Sequence, residues 1–469
     1  MFLPNDEPFS PYVTTGILPR ADLVSLEARL VPHLRPTPSV LSIARQLTQR
    51  GFEAWCVGGA IRDALLGGEP LDWDLATSAT PDEVREIFGR KRTIPVGIEF
   101  GTVAVLDDDG IVHEVTTFRR DVKTDGRHAE VEFGASLEED LARRDFTINA
   151  IALDPATDEV RDPFDGRADL AARVVRAVGD ADERMREDRL RALRGIRFAA
   201  RFGFAIEPAT LAAITGSAPY LGRLSAERVQ QELVKTMQQV ARPSEALRLW
   251  KDTGALSVLV PALAGVDEVT LQSLDLLPRA GEGGRVLPQR TTNRFAALFL
   301  DVPAGQVRDT MTGLRFSRHE SRWVASIVEL WQSVGRSMAG GLLGAPDDAA
   351  VRRWLAAIGR LHAGSFLRVA AARWAAEREA GTAAPPAAAV RSLHRRMRHG
   401  MFRDPLELAD LRVTGDDLRR VGIPAGPIYA KILHALLERV LEDPARNTPE
   451  GLLAEVPQLA ASLADRPAS

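Results

Sequence analysis

The chain has 469 residues, and 60 Lys+Arg against 64 Asp+Glu give a net charge of -4. That length allows two to four domains with a sizeable core, and near-neutrality excludes a globally basic nucleic-acid binder while leaving room for a local basic face. A single cysteine, Cys56, excludes an intrachain disulfide; no apolar stretch is long enough to span a membrane and no signal layout opens the chain, so a cytoplasmic protein is expected. Only five of the 60 cationic residues are Lys, and the rest are Arg, the side chain suited to forked contacts with phosphate and base edges. Aromatics make up 6%, too few for extended base-stacking surfaces.

Residues 1–35 carry several prolines and no clear period, and read as an extension with one short helix at Ala21–Leu30. Val40, Ile43, Ala44 and Leu47 give a helical face ended by Gly51. Ala54–Val57 is a short strand in which Cys56 reads as a packed thiol. Gly58-Gly59 then allows close backbone approach to a ligand, and Ile61–Leu66 starts a helix whose N-terminal amides favour an anion. By itself a Gly-Gly pair is an ordinary strand-to-helix turn. Leu71–Leu75 reads as the next strand, so Asp72 and Asp74 share a face. Two such carboxylates repel unless a cation lies between them, and hard oxygen donors suit Mg²⁺.

Thr80-Pro81-Asp82-Glu83 is a capping box opening a helix that reaches Phe88. Gly101–Leu106 and Ile111–Phe118 are strands joined by the acidic turn Asp107-Asp108-Asp109-Gly110. Glu114 shares a face with Val112 and Thr116, and fits either a third metal-site carboxylate or a partly exposed edge residue. Arg119–Phe133, with Asp125-Gly126-Arg127-His128, is polar and reads as a mobile loop. Leu137–Arg143 begins a helix; Arg144, Asp145 and Asn149 follow, and Asp162–Gly166 is a turn.

Residues 181–202 hold Glu187-Asp188-Arg189-Leu190-Arg191 above an apolar stripe of Leu190, Leu193, Ile196 and Ala200. Asp188, Arg191 and Arg194, spaced by three, are expected on one helical face. They are either a solvated ion-pair row or a base reader. In the second case the carboxylate accepts from an exocyclic amine while the guanidinium donates to the adjacent ring nitrogen. Cytosine and adenine present that order; uracil and guanine do not. Beyond Ser225 the chain reads as almost wholly helical, with a joint at Gly281–Gly284 and a linker at Ala380–Ala389. Arg391–Arg403 holds five Arg and two His without an acid, which suits either an RNA backbone or a solvated face.

In this order the motifs resemble those of the class II tRNA nucleotidyltransferase and bacterial poly(A) polymerase family, within the DNA polymerase β superfamily. The resemblance is strong over Leu41–Met237 and weaker to the end, where Thr414–Leu437 is similar to the tail of bacterial CCA-adding enzymes. It implies an α+β fold: a small N-terminal nucleotidyltransferase head with a mixed β-sheet and helices, then an all-helical neck, body and tail. The implied domains are an extension (1–35), a head (36–170), a neck with the base-reading motif (171–240), a degenerate HD-like body (241–380) and a tail expected to contact tRNA (381–469).

The resemblance also implies roles. Asp72 and Asp74 hold catalytic Mg²⁺, with Glu114 near them. Gly58, Gly59 and Arg62 contact the triphosphate. Asp125, Gly126 and Arg127 belong to a flexible loop that helps switch from C to A. Arg144, Asp145 and Asn149 match a motif associated with ribose recognition, and Glu187, Asp188, Arg191 and Arg194 match the amino-acid template for the base. The implied reaction is attack of a tRNA 3′-hydroxyl on the α-phosphate of CTP or ATP, with no membrane involved. Arg294–Asp301 resembles an HD phosphohydrolase core helix, but Leu300 stands where a metal-ligand His precedes Asp301, so phosphohydrolase activity is not expected. Complete CCA addition leads. A-only or CC-only addition follows, then poly(A) synthesis, disfavoured because Pro95–Gly101 lacks a basic signature. A non-catalytic RNA-binding protein is disfavoured by the retained Asp pair.

Overall fold

A computed structural model describes residues 34–70, 72–124, 129–278 and 289–464. The expected extension, apart from its last two residues, Leu71, the turn Asp125–His128 and the joint at Gly281–Gly284 lie outside the described residues. The chain divides into two compact units, 1–220 and 221–469.

The first unit is built on a seven-stranded mixed sheet. Helix α1 (Pro38–Thr48) buries Val40, Ile43, Ala44 and Leu47, the face its periodicity predicts. Strand β1 (Ala54–Val57) is buried throughout. Helix α2 (Gly59–Leu65) starts two residues earlier than its apolar pattern suggests. Strand β2 (Asp74–Thr77) is shorter than expected, beginning at Asp74. Just before it, the Trp73 indole is buried and donates to the Pro70 carbonyl, 2.9 Å. Helix α3 (Pro81–Phe88) opens with the expected reciprocal capping box of Thr80 and Glu83.

Strands β3 (Thr93–Gly97), β4 (Thr102–Leu106) and β5 (Val112–Thr117) complete one side of the sheet. The turn joining β4 and β5 is structural: the Asp107 carboxylate accepts from the amides of Asp109 and Ile111 and meets His113 Nε2 at 3.1 Å. Residues 119–133 depart from the loop expectation. They pair as an antiparallel hairpin, β6 (Arg119–Thr124) with β7 (Ala129–Phe133), separate from the main sheet. Alternating polar residues gave no apolar face, so pairing here was hidden from the pattern.

Helix α4 (Leu137–Ala142) precedes β8 (Ala152–Leu153) and β9 (Val160–Arg161), and the sheet order is β3-β4-β5-β2-β1-β8-β9. Only β2 and β5 run parallel within it. Trp55, Val57, Phe118, Leu141 and Ala152 pack together on one face of the sheet. Helix α5 (Gly166–Ala172), strand β10 (Val174–Val175), helices α6 (Ala181–Glu187) and α7 (Leu190–Phe202), strand β11 (Ala205–Ile206) and helix α8 (Pro208–Ser217) finish the unit. The single helical face expected for Asp188, Arg191 and Arg194 is interrupted: Asp188 takes extended dihedrals, φ -143° and ψ 104°.

The second unit is helical, and among its described residues no strand occurs. Its core holds Trp250, Phe366 and Trp374. The fully buried Arg294 donates to the carbonyls of Met237, Val240 and Ala241 and so closes the end of the helix Ala226–Gln239. Residues 382–386, with Pro385-Pro386, separate the helices Arg360–Glu379 and Ala387–Arg403 where a linker was read. Among the described residues no helix is long and apolar enough to cross a membrane.

Candidate active site

The parallel β2–β5 pair brings the carboxylates together. Leu75 pairs with Val115, which places Asp74 beside Glu114, one step earlier on both strands. Asp72 lies two residues upstream, and all three side chains are exposed. The Asp74 carboxyl is open to solvent on one side and hemmed in by chain on the others. That partial burial, then repulsion from Glu114 and from Asp72, outweighs the attraction of Arg144 and pushes its pKa up to about 6. Such an edge is short of positive charge. Among the described residues no group of three or more His, Cys, Asp or Glu is placed to hold a metal ion. Glu114 is exposed but belongs to β5, an interior strand between β4 and β2, so it is not the edge residue the sequence also allowed; it stands beside Asp74.

The glycine turn stands against this edge. Val57 pairs with Asp74, so Gly58 leaves β1 beside Trp73. Gly58 has φ +80° and ψ -131°, a region open to glycine. A Cβ there would lie 3.0 Å from Arg144 Nη1. Arg144 is fixed by Asp140, whose buried carboxylate accepts from Arg144 Nη2 at 3.2 Å and from Arg143 Nη2 at 2.8 Å. Asp140 was not singled out from the sequence, although its i,i+3 and i,i+4 spacing to two Arg was visible there.

Arg62 is the residue expected to contact the triphosphate. It is 4% exposed and faces the interior. Its guanidinium donates to Asn149 Oδ1 and to Asp63 Oδ1, and lies over the rings of Phe198 and Phe202 at 5.1 and 4.8 Å. Burial lowers its pKa, and Asp63 opposes that. In this geometry the Arg62 guanidinium is engaged by Asn149 and Asp63. Arg201 joins the cluster through Asp63 Oδ2 at 3.1 Å, a contact 138 residues away that no local pattern announces.

Asn149 in turn donates to Asp145 Oδ1 at 2.9 Å, and Arg194 Nε donates to Asp145 Oδ2 at 2.7 Å. Burial works against the Asp145 charge, but Arg194, Asn149 and the Phe146 amide outweigh it and hold the carboxyl below its usual range. Asp145 and Asn149, 8% and 6% exposed, are thus links between α2 and α7.

The base-reading group is arranged differently from the expected single helical face. Asp188 ends α6, and its Oδ1 accepts from the Leu190 amide at 3.0 Å, starting α7. Arg191 is held by Glu187 Oε2 at 2.5 Å and by the carbonyls of Arg184 and Arg143 at 3.1 and 2.8 Å. Across the helix junction the Arg191 amide donates to the Asp188 carbonyl at 3.0 Å, and Glu187 holds the Arg191 guanidinium. Asp125, Gly126 and Arg127 lie outside the described residues.

Residues 54–176 match the family described as the poly A polymerase head domain, and 203–266 match that of the probable RNA and SrmB-binding site of polymerase A. A CCA-adding enzyme of Latilactobacillus sakei is 37% identical over 417 residues, covering 88% of this chain and 96% of that protein. The chain belongs to the CCA-adding enzyme family. A CCA-adding enzyme of Geobacillus kaustophilus is 36% identical across 89% of this chain and 96% of its own length. The crystal structure of the Bacillus stearothermophilus CCA-adding enzyme in complex with CTP aligns with a TM-score of 0.68 and 33% identity, covering 90% of this chain and 98% of that one. The mixed sheet of the first unit and the helical second unit are the fold of this family. Leu300 is fully buried, and Asp301 Oδ2 accepts from Arg373 Nη1 at 2.7 Å and Thr270 Oγ1 at 3.0 Å.

Proposed function

We propose that the chain adds CCA to the tRNA 3′ end from CTP and ATP, without a nucleic-acid template. The observation that carries this is the placing of Asp74 and Glu114 side by side on parallel strands, with Asp72 and the Gly58 turn at the same edge. The chemistry of this family uses a divalent metal ion; we assign it as Mg²⁺, held by Asp72 and Asp74 with Glu114 adjacent. The donor set fits: hard oxygens only, with Asp74 protonating near pH 6 for want of a cation. When bound, the metal lowers the pKa of the attacking 3′-hydroxyl and stabilises charge on the departing pyrophosphate.

The chain's own groups bind and orient. Gly58 and Gly59 let the triphosphate approach the amides opening α2, and Arg144, fixed by Asp140, faces that turn. Asp188 accepts from the exocyclic amine of cytosine or adenine, and Arg191 donates to the neighbouring ring nitrogen. Arg62, Asn149, Asp145 and Arg194 tie the phosphate turn to the base-reading junction. The domain limits at 35, 170, 240 and 380 and a cytoplasmic location remain part of this reading, supported by the buried free thiol of Cys56.

The test supplies tRNAs ending before CCA, after C and after CC with single nucleotides and Mg²⁺. Successive C, C and A additions to the first substrate are expected. Activity confined to the CC-ended tRNA would replace this reading with A addition.

A further inference from the structure

The helices Asp348–Ile358 and Ala387–Arg403 of the second unit line a cavity of about 410 Å³. That size falls within the roughly 300–1,000 Å³ that small-molecule sites occupy. Val351 and Leu355, both buried, give it an apolar wall. Gly400 also lines it; a Cβ there would lie 2.9 Å from Asp404 Oδ2, so the missing side chain leaves room beside that carboxylate. The rest of the lining is charged or polar: Arg352, Arg395, Arg396, His399, Asp348 and Asp404. Two of the guanidiniums are fixed. Arg352 Nε and Nη2 donate to the carbonyls of Leu441 and Glu442, at 2.7 and 2.8 Å. Arg396 Nε donates to Asp348 Oδ1 at 2.9 Å, and its Nη1 to the Pro346 carbonyl at 2.8 Å. Arg396 is thus paired with a carboxylate, whereas the carbonyls orient Arg352 without an opposing full charge. Arg395 and His399, four residues apart on one side of their helix, are exposed, and no hydrogen bond or ion pair is found for either among the described residues.

These walls make different demands on a ligand. Arg352 and Arg395 offer forked N–H donors, and His399 a further ring nitrogen, which together suit a phosphate. Asp404 accepts from a hydroxyl or an amine and repels a second negative group. Val351 and Leu355 suit the face of a ring. A strand of backbone phosphates would meet Asp348 and Asp404 in the same hollow. A detached molecule with one phosphate end and one donor-bearing ring satisfies every wall. We propose that this cavity is a second nucleotide site, which takes a free nucleoside phosphate. The phosphate lies on Arg352, Arg395 and His399, and the ribose hydroxyls or base amine face Asp404. The site uses none of the acids, glycine turn or base-reading residues, all of which belong to the first unit, and it does not depend on the transferase reading.

Equilibrium dialysis of the full chain with radiolabelled CTP, without tRNA and beside steady-state transfer kinetics, tests this. The wild type should bind two CTP per chain. The double change Arg395→Ala and His399→Ala should bind one, with kcat and the KM values for tRNA and CTP unchanged. Both side chains are exposed, so the melting temperature should hold. Asp404→Ala should weaken the second CTP about tenfold, as loss of a hydrogen bond to a charged acceptor requires, and leave the first unaltered. Saturating tRNA should leave the second CTP in place. One CTP per chain in the wild type, or two in the double variant, would overturn the proposal. So would displacement of the second CTP by tRNA, or a rise in KM for tRNA in the double variant, since either makes the cavity part of a tRNA contact. Pyrophosphate competing there as tightly as CTP would reduce the cavity to a phosphate cradle and overturn the nucleoside assignment. Absence of transfer by a wild type that binds two CTP would instead count against the transferase reading alone.

Discussion

Single residues in the first unit carry opposite electrostatic loads. Asp74 binds its proton more tightly folded than unfolded, so between about pH 4 and pH 6 the native state holds more protons. Stability therefore falls as pH rises through that window, and the cost is fully present above pH 6. Asp74→Asn should raise the metal-free stability of the protein at pH 8 by about 1 kcal/mol, a figure reduced by solvent screening at this exposed carboxyl. At pH 4 the difference should vanish, and millimolar Mg²⁺ should erase it at pH 8; thermal melts at both pH values check this. The same substitution should abolish transfer. Gly58 meets a conformational demand: Gly58→Ala forces a Cβ into φ +80° beside Arg144. A loss of about 1–3 kcal/mol is expected in denaturant melts, with a larger fall in kcat/KM for the nucleotide than for tRNA.

Between elements, the decisive feature is the junction of α6 and α7. A continuous helix would have placed Asp188 one turn below Arg191, with its backbone locked in the α conformation. The extended Asp188 instead accepts from the Leu190 amide at the start of α7, while Glu187 remains on α6 to hold Arg191. Asp188→Ala should blur the preference for CTP and ATP over UTP and GTP, read as ratios of kcat/KM. Unchanged selectivity would remove Asp188 from base reading. Asp145 connects α7 back to α2 through Asn149 and Arg62.

For the whole molecule, the division of labour follows the two units. Acids, glycine turn and base reader all lie within 1–220, while the cavity lined by Arg352 and Arg395 lies within 221–469. In the segment read from the sequence as HD-like, Leu300 is buried and the Asp301 carboxylate is paired with Arg373. Purified protein should therefore show no metal-dependent phosphatase turnover above that of Asp301→Ala with Mn²⁺, Co²⁺ or Ni²⁺ and a generic phosphomonoester.

Much of this was written locally. The capping box at Thr80, the buried face of α1, strand β1 and the acidic hairpin turn at Asp107 each depend on neighbours within a few residues, so their chemistry is visible in order along the chain. The same holds for Asp72-x-Asp74 and for Glu187-Asp188-x-x-Arg191 as motifs, although their roles came from the family resemblance and not from residue types alone. What the sequence could not settle involves partners far apart or patterns without an apolar face. Glu114 becomes a neighbour of Asp74 only because β2 and β5, forty residues apart, pair in parallel. Arg62 turns inward because Asn149 and two Phe of α7 reach it. The polar hairpin β6–β7 and the break at Asp188 are fixed by backbone hydrogen bonds, which every sequence can make and only the tertiary fold selects.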